Sequence, residues 1–319
     1  MSSHALITGG AGFIGSHLTR RLLERGDAVT VLDDFNDYYD PGRKRANVAP
    51  YLGRDGFRLV EGDIRDAARV DGLFREGRFD CVIHLAARAG VRPSLAEPIL
   101  YEDVNCIGTL RLLEAARRHG PEVFVFGSSS SVYGINEKLP FSEEDPVDRP
   151  ISPYATTKRA GELLCYNYHH LYGLKTSCLR FFTVYGPAQR PEMAIHKFTR
   201  LLARGEPIPI YGDGSSRRDY TYVDDIIDGV VAALDAEFGF EVLNLGGADT
   251  TSLADLVRWI AAELDVEPGM QYLADQPGDV PITYADVAKA RRLIGYEPRV
   301  PMREGLARFV EWYRANEPR

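Results

Sequence analysis

Cysteine is scarce in this sequence, and its four residues lie singly in apolar segments: Cys81, Cys106, Cys165 and Cys178. No C-x-x-C pair is present, which argues against a disulfide framework and against a zinc site. The sequence also lacks any apolar run near the roughly 18 residues that a membrane-spanning helix needs, and no basic segment precedes the first strand pattern. We therefore expect a cytoplasmic protein with buried free thiols, no bound metal and no membrane contact.

Positive charge is in deficit, with 38 Lys and Arg against 46 Asp and Glu and a formal net charge of -8. That balance argues against non-specific binding of nucleic acid. An anionic small ligand stays open, because several arginines fall in Gly- and Pro-rich segments: Arg88, Arg92, Arg190, Arg217 and Arg218. Internal repeats and low-complexity stretches are absent, and 319 residues with 45% hydrophobic content suffice for a full core.

The first forty residues carry a pattern typical of dinucleotide binding. An apolar run from His4 to Thr8 leads into the glycine-rich stretch from Gly9 to Gly15, and a helical pattern follows it. A second apolar run ends in Asp33, roughly 20 residues after the turn, where dinucleotide-binding folds place an acid on the adenosine ribose. Strand, spacing and acid together predict a dinucleotide site.

Alternating strand and helix patterns then continue to about residue 181, which predicts parallel pairing with right-handed crossovers. We predict an α/β fold, a Rossmann-type doubly wound parallel sheet with a smaller α/β substrate domain. Residues 1–184 would form the dinucleotide-binding domain, with 220–245 returning to it, and 185–319 would mainly bind substrate. Ligands of such sheets bind beyond the carboxyl ends of the strands. Three segments fall there: Asp63-Ile64, Leu85-Ala86-Ala87, and Ser128 to Ser131.

Tyr154 and Lys158 open a long amphipathic pattern that predicts a helix reaching about Tyr172. Residues four apart share one helix face, so the two side chains project together. An ammonium group beside a phenol favours the phenolate, which makes the phenol a usable base. Taken alone, a Tyr and a Lys four residues apart are more often unrelated side chains on the surface of a helix. Beside a dinucleotide fold and the serine cluster, the pair becomes a candidate site for proton transfer next to a nicotinamide.

The motifs resemble the extended short-chain dehydrogenase/reductase superfamily, specifically its nucleotide-sugar epimerases, over essentially the whole chain. The resemblance rests on Thr8 to Gly15, His84 to Ala87, Asn105 with Gly108-Thr109, Ser128 to Gly134, the Tyr154/Lys158 pair, and Arg218 to Asp225. It implies C4 epimerisation by oxidation and re-reduction on a retained NAD, with Tyr154 as base and then acid.

The resemblance also implies site residues. Tyr154, Lys158 and Ser129 would be catalytic. The expected NAD contacts are Gly9, Gly12, Phe13, Ile14, Gly15, Asp33, Asp63, Ile64, Leu85, Ala86, Ala87, Asn105, Tyr154 and Lys158. The expected contacts to a UDP-sugar are Arg92, Ser129, Ser130, Ser131, Thr183, Arg190, Arg218 and Asp279, with Arg217 as an alternative to Arg218 at the diphosphate.

The identity of the sugar depends on the residues around the serine cluster. Related 4,6-dehydratases and UDP-glucuronate decarboxylases carry acids where this chain has Ser130 and Ser131, so both reactions are disfavoured. Three segments resemble UDP-glucuronate 4-epimerases: Asp34 to Pro41 followed by Lys44-Arg45, Arg88 to Arg92, and Phe182 to Pro187 with Arg190-Pro191. Ser130, Ser131, Thr183 and Arg190 would hold the sugar carboxylate. A UDP-glucose/UDP-galactose 4-epimerase is the alternative, and a non-catalytic dinucleotide-sensing protein a weaker one. Family resemblance also implies a homodimer through the helices near 98–119 and 154–172.

Overall fold

The computed structural model describes residues 3–236, 238–274 and 280–317. Within those ranges the strands are β1 (His4–Thr8), β2 (Ala28–Asp33), β3 (Phe57–Glu61), β4 (Cys81–His84), β5 (Val123–Ser129), β6 (Lys175–Phe181), β7 (Thr183–Tyr185), β8 (Ile208–Tyr211), β9 (Arg217–Arg218), β10 (Tyr220–Tyr222), β11 (Phe240–Leu245), β12 (Thr251–Ser252) and β13 (Met270–Leu273).

The helices in the same ranges are α1 (Phe13–Arg25), α2 (Pro41–Val48), α3 (Ala67–Gly77), α4 (Val91–Ala96), α5 (Pro98–Tyr101), α6 (Gly108–His119), α7 (Pro153–Tyr172), α8 (Ala194–Ala203), α9 (Val223–Asp235), α10 (Leu253–Leu264), α11 (Ala288–Ile294) and α12 (Met302–Asn316). Two short 3-10 turns, Ala49–Tyr51 and Ser130–Tyr133, and a π-helical turn, Glu102–Ile107, complete them. None of these helices has the length and apolar composition that a bilayer crossing requires.

Seven strands form one sheet in the order β11-β6-β5-β4-β1-β2-β3, and every neighbouring pair is parallel. The predicted Rossmann-type fold is therefore confirmed. The chain builds outward from β1 to β3 and then returns to build from β4 in the other direction, so the strand order reverses between β1 and β4. That reversal opens a crevice at the carboxyl ends of β1 and β4, which is where ligands of such sheets bind.

The two faces of the sheet bury separate apolar clusters, because successive strand residues point to opposite faces. Ile7 of β1 joins the cluster that includes α1 and α9, whereas Leu6 joins the cluster that includes α3, α6 and α7. All of these β1 side chains are essentially inaccessible to solvent. The sheet is thus covered on both sides, and its loops at the carboxyl edge are left to form the site.

The segments after β7 add short strand pairs around the same edge. β7 pairs with β10, β9 with β12, and β8 with β13. Helices α8, α10 and α12 pack against these pieces, and β11 returns to the central sheet beside β6. The division into a cofactor domain and a substrate domain at residue 184 stays a prediction.

The structure departs from the predicted single helix over 98–119. A turn at Glu97 starts α5, and the π-helical turn Glu102–Ile107 separates α5 from α6. Such a turn inserts an extra residue into the helical ladder and often occurs at functional sites. Here it contains Asn105, which is buried and directed toward α7.

Candidate functional site: a cavity at the carboxyl edge of the sheet

One cavity runs along the carboxyl edge of the sheet from the glycine turn to the start of α7. Most of the residues predicted to contact cofactor line it: Gly9, Gly12, Phe13, Ile14, Gly15, Asp33, Asp63, Ile64, Leu85, Ala86, Ala87, Tyr154 and Lys158. Ser129 and Arg190, predicted to contact substrate, line the same cavity. The structure therefore brings the predicted dinucleotide residues and the predicted catalytic residues to one continuous space.

In the glycine turn, backbone atoms lie too close to one another for side chains to fit between them. A Cβ on Gly9 would lie 2.7 Å from the backbone nitrogen of Ala86, and Gly9 itself has a φ of 71°. A Cβ on Gly15 would lie 2.2 Å from the carbonyl oxygen of Gly9. No side chain fits at either position, so the turn brings the N-terminus of α1 directly against the cavity. The free amides of that first turn suit a pyrophosphate, because helix N-termini favour anions.

Asp33, the last residue of β2, lines the end of this cavity away from Tyr154. Its carboxylate accepts hydrogen bonds from the backbone nitrogens of Ala11, at 3.2 Å, and Phe35, at 3.0 Å. The Lys44 ammonium lies 3.4 Å from the same carboxylate. Burial raises the pKa of Asp33, and the Lys44 charge opposes that rise. This end of the cavity therefore holds a carboxylate in a fixed position at the end of β2. A carboxylate there suits hydrogen bonds from the hydroxyls of an unphosphorylated ribose.

Tyr154 and Lys158 reach the other end of the cavity from the first turns of α7. Ser152 caps the helix, because its hydroxyl accepts a hydrogen bond from the backbone nitrogen of Ala155 at 3.2 Å. The Lys158 ammonium is buried, donates to the Gly127 carbonyl at 2.7 Å and lies 6.0 Å from the centre of the Tyr154 ring. Burial lowers the pKa of Lys158 to about 8.

Two neighbours of Tyr154 affect its ionisation, Ser129 and Arg190. Burial raises the pKa of Tyr154, while a hydrogen bond from Ser129 and the positive charge of Arg190 lower it. The predicted effect of the Lys158 charge on this phenol stays a prediction: the ammonium lies 6.0 Å from the centre of the Tyr154 ring and donates to the Gly127 carbonyl. Arg190 was assigned only to a substrate carboxylate. Its location gives it a second effect, because its charge favours the phenolate.

Arg190 itself is held on two sides. Its Nε lies 3.2 Å from Oε1 of Glu192, and its guanidinium carbon lies 5.6 Å from the centre of the Tyr38 ring. A stacked and paired guanidinium loses less freedom when it binds an anion. The group is thus positioned at the catalytic end of the cavity and close enough to Tyr154 to affect its pKa.

The other predicted substrate residues within the described ranges do not line this cavity. Ser131 donates its hydroxyl to Ser129 Oγ at 2.9 Å, and Ser130 precedes it in the same 3-10 turn. Thr183 begins β7, with its backbone nitrogen bonded to the Asp219 carbonyl. Arg218 donates to backbone carbonyls of Arg217 and Pro281, and Arg92 packs over the Tyr211 ring. Asp279 lies outside the described residues.

Asn105 supports the cavity from behind its wall. Its side-chain oxygen accepts from the backbone nitrogen of Arg88, and its side-chain nitrogen donates to the Arg88 carbonyl and to the Thr157 hydroxyl. These three bonds tie the loop after β4 to α7. Asn105 does not itself line the cavity, and its predicted contact with the cofactor stays a prediction.

Sequence reasoning assigned no role to several aromatic and basic side chains at the cavity. Tyr38 and Tyr39 line it, as does Lys44. The hydroxyls of Tyr38 and Tyr101 both donate to the Ala89 carbonyl, at 2.8 and 2.7 Å, and the Tyr101 ring packs edge-on against Tyr154. Two adjacent tyrosines in a loop that follows the acid of β2 are the sequence signal that could have identified this wall.

Comparison with known proteins places this geometry among sugar-nucleotide enzymes. The profile of the NAD dependent epimerase/dehydratase family matches residues 5–246. UDP-glucuronate 4-epimerase 4 of Arabidopsis thaliana is 45% identical over 97% of this chain and 74% of its own length. Among solved structures, the UDP-glucuronic acid 4-epimerase of Bacillus cereus, in complex with UDP-glucuronic acid and NAD, superposes with a TM-score of 0.92 at 35% identity, covering 98% and 99% of the two chains. The UDP-glucose 4-epimerase of Thermotoga maritima, solved with UDP-glucose, gives 0.91 at 34% identity, covering 99% and 100%.

Proposed function

The chain belongs to the NAD dependent epimerase/dehydratase family, and from that premise we propose that it is an NAD-dependent UDP-sugar 4-epimerase that converts UDP-glucuronate to UDP-galacturonate. The observation that carries the proposal is the single cavity that joins a dinucleotide cradle to Ser129, Tyr154 and Arg190. Hydroxyl, phenol and guanidinium converge there at one end, as C4 chemistry on an acidic sugar requires.

The residues present fit NAD. The glycine turn is packed too closely against neighbouring backbone to hold a side chain at Gly9 or Gly15, so a ligand would meet backbone there, and Asp33 supplies a fixed acceptor at the end of β2. A carboxylate at that position accepts hydrogen bonds from ribose hydroxyls and repels a 2′-phosphate. Bound there, NAD would accept a hydride from C4 of the sugar and return it to the opposite face of that carbon.

The chain's own residues handle the proton. Tyr154 accepts the proton of the C4 hydroxyl and later returns it, with Ser129 hydrogen-bonded to the same phenol. Lys158 lies one helical turn away with its pKa lowered to about 8, so its charge is present near neutral pH. Burial of the phenol makes the supporting charge of Arg190 important, because an unassisted buried phenol would hold its proton.

The acid-sugar preference follows from Arg190. A guanidinium held by Glu192 and Tyr38 at the catalytic end of the cavity offers a fixed, charge-assisted partner to a C5 carboxylate. Ser130, Ser131 and Thr183 complete the proposed carboxylate pocket once substrate is bound, and Arg218 with Arg92 and Asp279 is proposed for the UDP part.

Replacing Arg190 with Gln is expected to raise the KM for UDP-glucuronate by about 10- to 100-fold, since a hydrogen bond to a charged group contributes about 1.5 to 3 kcal/mol. A neutral UDP-hexose has no carboxylate for Arg190 to bind, so its rate relative to that of UDP-glucuronate should rise. Initial rates with both substrates test this, and Arg45→Gln, at an exposed arginine of α2, is the control. Equal losses for both sugars would contradict the assignment of Arg190 to the carboxylate.

The activity itself is tested by incubating the purified protein separately with UDP-glucuronate, UDP-glucose and UDP-N-acetylglucosamine and following the C4 epimers by NMR. We expect UDP-galacturonate to form fastest, and to form without added NAD because the cofactor stays bound through turnover. Strict dependence on added NAD with net formation of NADH would instead indicate a dehydrogenase.

A UDP-glucose/UDP-galactose 4-epimerase is the second candidate. The likeness to the Thermotoga maritima enzyme solved with UDP-glucose favours it, because the two structural relatives differ in sugar but hardly in TM-score. The same NMR experiment separates the two candidates. Fastest conversion of UDP-glucose would replace the acid-sugar assignment while leaving the C4 chemistry unchanged.

We also propose a cytoplasmic homodimer, supported by an exposed apolar surface on α5 and α7. Ile99 is 76% exposed and Leu163 is 51% exposed, and Tyr166 and Leu95 are exposed on the same group of adjoining helices. Exposed apolar side chains gathered on adjoining helices support an interaction site there, and pairing with a second copy would cover them.

Replacing Ile99 and Leu163 together with Glu is expected to convert the dimer to a monomer, because two buried charges would then face the partner. Light scattering after gel filtration measures the mass. Leu52→Glu, at a leucine 58% exposed outside those helices, should leave the dimer intact. A wild-type protein that is monomeric at micromolar concentration would contradict the proposal.

A further inference from the structure

A buried ion pair lies directly behind the catalytic end of the cavity. Arg180 of β6 donates to both carboxylate oxygens of Glu162 on α7, at 2.8 and 2.9 Å. Arg180 is 2% exposed and Glu162 is 1% exposed. Burial alone would raise the pKa of Glu162, but the bonds from Arg180, Ser128 and Arg159 hold it below its usual value. The carboxylate is therefore ionised and fixed in place.

Two further bonds connect α7 to the end of β5. The Ser128 hydroxyl donates to Glu162 Oε1 at 2.6 Å, and the Lys158 ammonium donates to the Gly127 carbonyl at 2.7 Å. Glu162, Lys158 and Tyr154 follow one another at four-residue intervals, so they lie along one face of the helix. Consecutive strand residues thus bond to consecutive turns of α7, and the next strand residue is Ser129.

We propose that Ser128 and Glu162 are positioning residues that hold Ser129 beside Tyr154 by locking the end of β5 to α7. The inference rests on the proposed epimerase function and adds residues that act through the catalytic pair. The ion pair helps to hold Glu162 in place, because Arg180 also donates to the Tyr133 hydroxyl at 3.0 Å.

Charge neutralisation alone does not require Ser128. Glu162 already has two cationic partners, the buried Arg180 and the half-buried Arg159 at 2.9 Å. The hydroxyl of Ser128 adds a third bond to that carboxylate, and it is the bond that reaches the strand end. Ser129 directly follows Ser128 in β5, so a displacement of Ser128 would pass to the catalytic serine, whose hydroxyl oxygen also accepts from the Ser131 hydroxyl and backbone nitrogen.

Replacing Ser128 with Ala removes this bond and keeps the ion pair. We expect kcat for UDP-glucuronate to fall by about 10- to 100-fold, because small misplacements of catalytic groups have effects of that size. KM should stay within about twofold of the wild-type value and the NAD content of the purified protein should not change. Circular dichroism would show that the variant is folded.

The pH profile provides a readout that a purely structural role would not move. Tyr154 must ionise to act as base, and the hydrogen bond from Ser129 lowers its pKa. If Ser129 shifts away, that pKa rises, and the limb where kcat increases with pH should move to higher pH. The other groups that face Tyr154 are unchanged in this variant: Arg190, Lys158, Tyr38 and Tyr101.

Arg159→Gln is the matched control, because it removes a different bond to the same Glu162 carboxylate, from a half-buried arginine of α7, and leaves Ser128 bonded to Glu162. It should leave kcat and the pH limb unchanged. Equal loss in both variants, or kcat within twofold of wild type for Ser128→Ala, would overturn the positioning role. Wild-type protein without epimerase activity would instead count against the proposed function, so the two failures are distinguishable.

Discussion

A Tyr154→Phe variant is expected to lose about 10²- to 10⁴-fold in kcat for epimerisation, the range that a positioned acid or base contributes. The ring, its packing against Tyr101 and the helix cap at Ser152 all remain. What disappears is the one hydroxyl that can take the C4 proton beside Ser129. KM for UDP-glucuronate should change little, since Arg190 and the cofactor cradle are untouched. Initial rates by coupled assay or NMR measure the loss.

The control for that variant lies on the same helix. Tyr172→Phe removes a phenol that is 51% exposed at the far end of α7 and should retain full activity. Binding of UDP-glucuronate to the Tyr154 variant, measured calorimetrically, should persist within a few fold. A Tyr154→Phe enzyme with more than a tenth of the wild-type kcat would show that another group transfers the proton.

The cofactor half of the molecule could be predicted from the sequence because its signals are local. The glycine turn, the acid that ends β2 and the strand ends near residues 63, 85 and 128 each follow from short patterns with a single backbone solution. Parallel pairing then fixes where those strand ends meet. The short strands β8, β9, β12 and β13 were not predicted, since two- to four-residue pairings carry no periodicity of their own.

The substrate half depends on which loop folds over which, and that information is not local. Tyr38 and Arg190 are 152 positions apart, yet the structure stacks them at the cavity. The effect of Arg190 on Tyr154 was missed for the same reason: helical spacing identifies Lys158 as a neighbour of Tyr154, but it cannot show that the loop after β7 also brings the charge of Arg190 there. A charged residue inside the apolar strand β6, Arg180, was the signal for a buried counter-ion, but the sequence could not say that Glu162 provides it.

That buried pair leads to the second large expected effect. Replacing Glu162 with Leu leaves the Arg180 guanidinium at 2% exposure without its carboxylate, and breaking a buried pair in this way lowers the free energy of unfolding by about 3 to 5 kcal/mol. Urea unfolding followed by circular dichroism measures the change, at fixed protein and NAD concentration because bound ligand and subunit association add apparent stability. Arg58→Met breaks the exposed contact between Arg58 and Glu76 and should change stability by less than about 1 kcal/mol.

The double variant Glu162→Leu with Arg180→Met separates the two contributions of the pair. Two apolar side chains of similar volume leave no buried charge, and such replacements are often neutral for stability or increase it, so the double variant should recover most of what the single variant loses. Its kcat should nevertheless stay low, because Ser128 no longer has an acceptor on α7 and the end of β5 is released. Recovery of both stability and kcat would mean that the ion pair acts on catalysis only by keeping the protein folded.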